Sequence, residues 1–109
     1  MSNANQSIDD LLEIVRTNIR IAIALRNTKA KTVSLEAGMS QNSLGSFIRG
    51  ETSMSFVNVL KVCEVLDIPI GLLAIEGAIS PARLRLHQAL EGAPPELVLE
   101  ALSQMRNEI

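Results

Sequence analysis

The chain has no tryptophan and no tyrosine, and Phe47 and Phe56 are the only aromatic residues among its 109. Gripping single-stranded RNA is therefore a poor fit, because unpaired bases are held largely by stacking on exposed aromatic rings. Cys63 is the only cysteine, which excludes an internal disulfide and suits a reducing compartment. In an apolar helical stretch it reads as a small core residue. His87 is the only histidine, set among Arg83, Arg85 and Glu91 as a surface residue would be. No zinc-ligand spacing, phosphate-binding glycine loop or catalytic acid pair occurs, so neither an enzyme nor a bound metal or cofactor is expected. The apolar runs are too short to span a bilayer. The opening MSNANQSIDD lacks a signal-peptide pattern, and a cytoplasmic protein without membrane contact is expected.

What remains is 47% apolar and built from Ala, Val, Ile and Leu, a composition for close-packed helices in one domain. Apolar residues at 8, 11, 12, 15, 19 and 22 recur at helical spacing, with Asp9, Asp10 and Glu13 at the positive end of the helix dipole. This first helix should end near Asn27, a residue that tolerates the left-handed conformation. Two short helices are predicted over roughly 29–37 and 41–49. Ser55 is a candidate N-cap for a fourth, Phe56 to Leu66, apolar nearly all round and so expected to be mostly buried. Pro69 opens a predicted short fifth helix through Ile75. Ser80-Pro81 starts a sixth that stops at Gly92, and Pro94-Pro95 opens a seventh to the C-terminus.

The segment Val33–Gly50 is the most informative. Val33, Ala37, Leu44, Phe47 and Ile48 are spaced so that two helices, joined by a turn at Gly38 and a start at Ser40, face one core. The outer face of the second helix carries Gln41, Asn42, Ser43 and Ser46, all uncharged hydrogen-bonding groups. That is the layout of a helix-turn-helix that reads DNA bases. The net charge of −2 counts against it until its distribution is considered: six bases and one acid lie between Arg16 and Arg49, a local +5 that leaves −7 elsewhere. A basic face on an acidic protein gives such asymmetry, and so does scattered helix-surface charge.

From about Ile19 to Ala74, without gaps, the chain resembles the Cro/C1-type (XRE) helix-turn-helix family of phage repressors and bacterial regulators. Gly38 falls on the family's turn glycine, Leu44 and Phe47 on its core positions, and Gly50 on the glycine ending its recognition helix. Phe56, Val59, Leu60, Cys63, Leu66, Ile68 and Leu73 match its later apolar pattern, and Ser34 stands where the family prefers alanine. The resemblance implies a five-helix phage-repressor-like DNA-binding domain over 8–77; with the two additional C-terminal helices read over 80–109, the expected fold is all-α. It also implies a bacterial or phage-encoded regulator. Ala30 departs from a glutamine that touches the DNA backbone, and Glu51 from a basic residue that phosphates would attract. Ile23 and Ile48 together replace an arginine–glutamate pair, so they are expected to touch; apolar replacement of a buried pair is often neutral or stabilising.

Under this reading Gln41, Asn42, Ser43 and Ser46 contact bases, Gln41 and Asn42 pairing with adenine at about 1–3 kcal/mol of discrimination per good pair. Both are alternatively no more than solvated residues at a helix start. Lys29, Lys31, Arg49, Thr52 and Ser53, with the amide ends of the second and fourth helices, would hold phosphates, and binding would weaken as salt rises. Gly45 permits close approach. A homodimer on a near-palindromic operator is expected. Leu86, Leu90, Val98, Leu102 and Met105 would dimerise it unless the last helices fold back on the body. About thirty residues follow the domain and contain no lysine, which excludes the serine–lysine self-cleavage of some repressors. The other class in play is a protein-interaction module of the same fold, such as an antitoxin or a component of a regulatory complex.

Overall fold

Ser7 accepts a hydrogen bond from the Asp10 amide and so caps the first helix, α1 (Ile8–Leu25). Among the described residues of the computed structural model, four more helices follow: α2 (Ala30–Glu36), α3 (Ser43–Ile48), α4 (Phe56–Leu66) and α5 (Pro81–Glu91). The structure describes residues 7–91, 94–96, 99, 100, 103 and 104; among them there is no strand, and the domain is all-α. No helix among the described residues is long and apolar enough to cross a membrane.

One device ends four of the helices. Asn27, Gly38, Gly50 and Asp67 all adopt positive φ, between 54° and 81°. After each, the next amide reaches back to a carbonyl five residues earlier: Thr28 to Ile23, Met39 to Ser34, Glu51 to Ser46 and Ile68 to Cys63. This closure satisfies carbonyls that the helix leaves orphaned. At Gly38 and Gly50 the left-handed backbone costs nothing because there is no Cβ to clash. The opposite ends are equally local. Ser55 and Ser80 accept from the amides of Asn58 and Arg83 and start α4 and α5 where the sequence places them.

Ile19, Val33, Leu44, Val62 and Leu66 are essentially inaccessible, and Phe47 and Leu73 nearly so, so α1 to α4 share one core. Ile23 and Ile48 are half-buried and both pack against that core. Leu84 is also buried, which seats α5 on the body, whereas Leu86 stays exposed and Leu90 half-buried. Val98, Leu102 and Met105 lie outside the described residues.

Two expectations are corrected. The predicted fifth helix is a 3-10 turn, Ile70–Leu72, flanked by further i→i+3 bonds. Its carbonyls are taken from across the fold: the buried Asn18 amide donates to Leu73 O at 2.7 Å, Ile75 O at 3.0 Å and Leu72 O at 3.4 Å. Helix α4 is not mostly buried. It sinks only Val62, Cys63 and Leu66, while Phe56 is 68%, Val57 58% and Leu60 42% exposed. Its C-terminal half meets α2 and the 3-10 turn, and its N-terminal turns leave an apolar face uncovered.

Candidate nucleic-acid interface

The turn between α2 and α3 is fixed from inside. Ser34 is fully buried, and its hydroxyl accepts the Leu44 amide at 2.9 Å, so a side chain of α2 satisfies a first-turn amide of α3. Ser40 does not do this; its hydroxyl pairs with that of Ser43 at 2.6 Å. Helix α3 begins at Ser43, two residues later than the sequence pattern suggests, because residues 40–43 close a single turn by the bond from Ser43 N to Ser40 O. Gln41 and Asn42 therefore sit in that turn, both exposed.

Of the predicted base-contacting residues, Asn42, Ser43 and Ser46 converge on one groove of about 330 Å³. The loop after α3 brings Thr52 and Ser53 to the same groove, and Ser55 and Asn58 carry it to the N-terminal turn of α4. Its side chains include hydroxyls and amides but no charged group. Gln41 lies next to it in sequence but does not line it. Lys29 and Lys31 are exposed at the start of α2, with no ion pair among the described residues.

Arg49 is engaged. Its Nε donates to Glu51 Oε2 at 3.0 Å, and its Nη2 donates to Glu51 Oε1 at 3.3 Å and Ser46 Oγ at 3.4 Å. Hydrogen bonding first, and attraction second, hold the Glu51 carboxyl below its ordinary range and raise the Arg49 guanidinium. Both groups are more than half exposed, so the pair adds little to stability.

Comparison with protein-family models, characterised proteins and solved structures found no match to this chain.

The remaining arginines of the basic stretch have structural work that residue spacing does not reveal. Arg16 donates from Nε to Phe47 O at 2.7 Å and lies over the Phe47 ring, 5.0 Å from its centroid. Arg20 donates to Ile48 O at 3.3 Å. Two cations of α1 thus cover the carbonyl end of α3, where the helix dipole is negative. Arg26 serves α4 in the same way, donating to Leu66 O at 2.7 Å and Asp67 O at 2.8 Å.

Below Phe47 an apolar cleft of about 280 Å³ opens between α1, α4 and the 3-10 turn, with Leu12, Val15, Phe56 and Leu73 in its walls. Burial raises the Cys63 thiol to about 11, which makes it a poor nucleophile at neutral pH. No cluster of three or more His, Cys, Asp or Glu placed to hold a metal occurs among the described residues.

Proposed function

We propose that the chain is a sequence-specific duplex-DNA-binding regulator of transcription, a repressor of the Cro/C1 helix-turn-helix kind, acting as a homodimer. Helix α3 enters the major groove, with Gln41 and Asn42 foremost and Ser43 and Ser46 behind. The observation that carries this reading is the uncharged groove in which Asn42, Ser43 and Ser46 meet Thr52 and Ser53. Base edges offer neutral donors and acceptors, which hydroxyls and amides match. Thr52, Ser53 and the N-terminal amides of α4 lie alongside, suited to the phosphates that border a major groove. Lys29 and Lys31 supply charge at the start of α2.

The test is selection of bound duplexes from a random pool, repeated with Gln41→Ala and Asn42→Ala. One operator half-site should emerge, and each substitution should relax preference at its own position. Unchanged preference in both variants contradicts the readout assignment.

A second reading has its own support. Three arginines of the basic stretch donate to backbone carbonyls at helix ends, Glu51 neutralises Arg49, and α4 exposes Phe56, Val57 and Leu60. A module that works through a protein partner fits those features. Intact protein at micromolar concentration that leaves duplex DNA unshifted at low salt would favour it.

A further inference from the structure

Asn42, Gly45, Ser46 and Arg49 follow one another at helical spacing, so they share one stripe of α3 and its ends. Along that stripe Arg49 folds back instead of reaching outward. A Cβ built on Gly45 would lie 3.1 Å from Arg49 Nη1, so the guanidinium rests over the place where a side chain is missing. Glu51 takes the Nε–Nη2 edge in fork fashion, and Ser46 Oγ receives a longer bond from Nη2 at 3.4 Å. Apart from that long bond to Ser46, which an incoming acceptor can replace, the Nη1–Nη2 edge has no partner among the described residues; Arg49 itself is exposed and stands outside the groove that Ser46 lines.

Resting on the DNA-binding reading above, we infer that Arg49 is a base reader and not a phosphate clamp, and that it recognises guanine. The pair formed with Glu51 is neutral overall and offers phosphate little attraction, since the carboxylate repels it. Once the Ser46 bond gives way, its Nη1–Nη2 pair of N–H groups matches guanine O6 and N7, the commonest specific contact of the major groove, and the planar guanidinium holds the two donors in a rigid fork. Glu51 orients the fork, and Gly45 leaves room for it. Arg49 and Asn42 would then read neighbouring parts of one half-site, guanine and adenine respectively.

The test uses the full chain, with duplexes selected from a random pool by the native protein and by Arg49→Lys, Glu51→Gln and Gly45→Ala. The native protein should select a guanine at a fixed place in each half-site. Lysine keeps the charge but loses the planar fork that Glu51 orients, so Arg49→Lys should hold a weaker guanine preference there. It should bind the selected duplex roughly tenfold to a hundredfold more weakly, the loss expected for one good bidentate base contact. Glu51→Gln frees the charge: the guanine preference should weaken, while binding to scrambled duplex tightens and its salt dependence steepens by about one phosphate contact. Gly45→Ala should displace the guanidinium and weaken the guanine preference without lowering the thermal midpoint. Arg49→Lys with unchanged base preferences and near-native affinity would overturn the assignment while leaving DNA binding in place. No duplex enriched by the native protein would overturn both.

Discussion

The buried hydroxyl of Ser34 does a job that lies outside its own helix. By accepting the Leu44 amide at 2.9 Å it replaces the N-cap that Asn42, which forms no side-chain capping bond, leaves unmade. Ser34→Ala removes the acceptor and leaves that amide unsatisfied in a dry site, which costs about 1–3 kcal/mol. Urea denaturation should show this as a lower midpoint with an unchanged slope; a neutral result would mean that water reaches the amide. Arg16 is the second residue on which α3 depends, through Phe47 O and the Phe47 ring. Arg49 is the opposite case, exposed and paired with a carboxylate of similar exposure, and its value lies in orientation and not in stability.

At the scale of the elements, α1 and the Arg26 that caps it act as a support whose polar side chains hold the ends of neighbouring elements. Arg16 and Arg20 cover the carbonyl end of α3, Arg26 that of α4, and Asn18 the 3-10 turn. Arg16→Met should keep the aliphatic packing but lose the charged hydrogen bond, destabilising the fold by roughly 1.5–3 kcal/mol. Amide exchange at the C-terminal turn of α3 should rise more than at α5. Equal acceleration everywhere would mean that Arg16 serves global stability only. These contacts also explain what the sequence could reveal. Caps at Ser55 and Ser80 and left-handed stops at Asn27, Gly38 and Gly50 depend on a few adjacent residues, so they are readable from the chain. The same holds for Val33, Ala37, Leu44 and Phe47, whose helical spacing follows their burial. The 3-10 turn is set by an amide more than fifty residues away, and the start of α3 by a hydroxyl on the preceding helix. Local patterns contain neither. The exposed face of α4 was hidden for a related reason: apolar composition does not tell which turns of a helix meet a partner.

For the whole molecule, the charge pattern needs redistribution. Of the six bases between Arg16 and Arg49, Arg16, Arg26 and Arg49 pair with Glu13, Asp67 and Glu51, leaving Arg20, Lys29 and Lys31 as exposed cations without an ion pair among the described residues. The salt dependence of DNA binding should therefore be shallower than the sequence count suggests, because it scales with phosphates neutralised. So weakly anchored a reader gains most from a second copy, each subunit presenting α3 to successive major grooves. Helix α5 buries Leu84 and turns Leu86 outward, and on the dimer reading Leu86 belongs to the subunit contact. Leu86→Asp should leave the melting curve of the body intact and convert a dimer to a monomer by light scattering, with weaker operator binding. A dimer that survives the substitution would move the contact elsewhere, the exposed Phe56, Val57 and Leu60 of α4 being the next surface to test.

Sequence-specific DNA binding is tested by fluorescence anisotropy of the full chain on its selected duplex and on a scrambled duplex of equal length, at matched salt. The selected duplex should be preferred on the order of a thousandfold, as for specific DNA-binding proteins generally. Equal affinity for both duplexes, or no binding at micromolar protein with the helices intact, would contradict it.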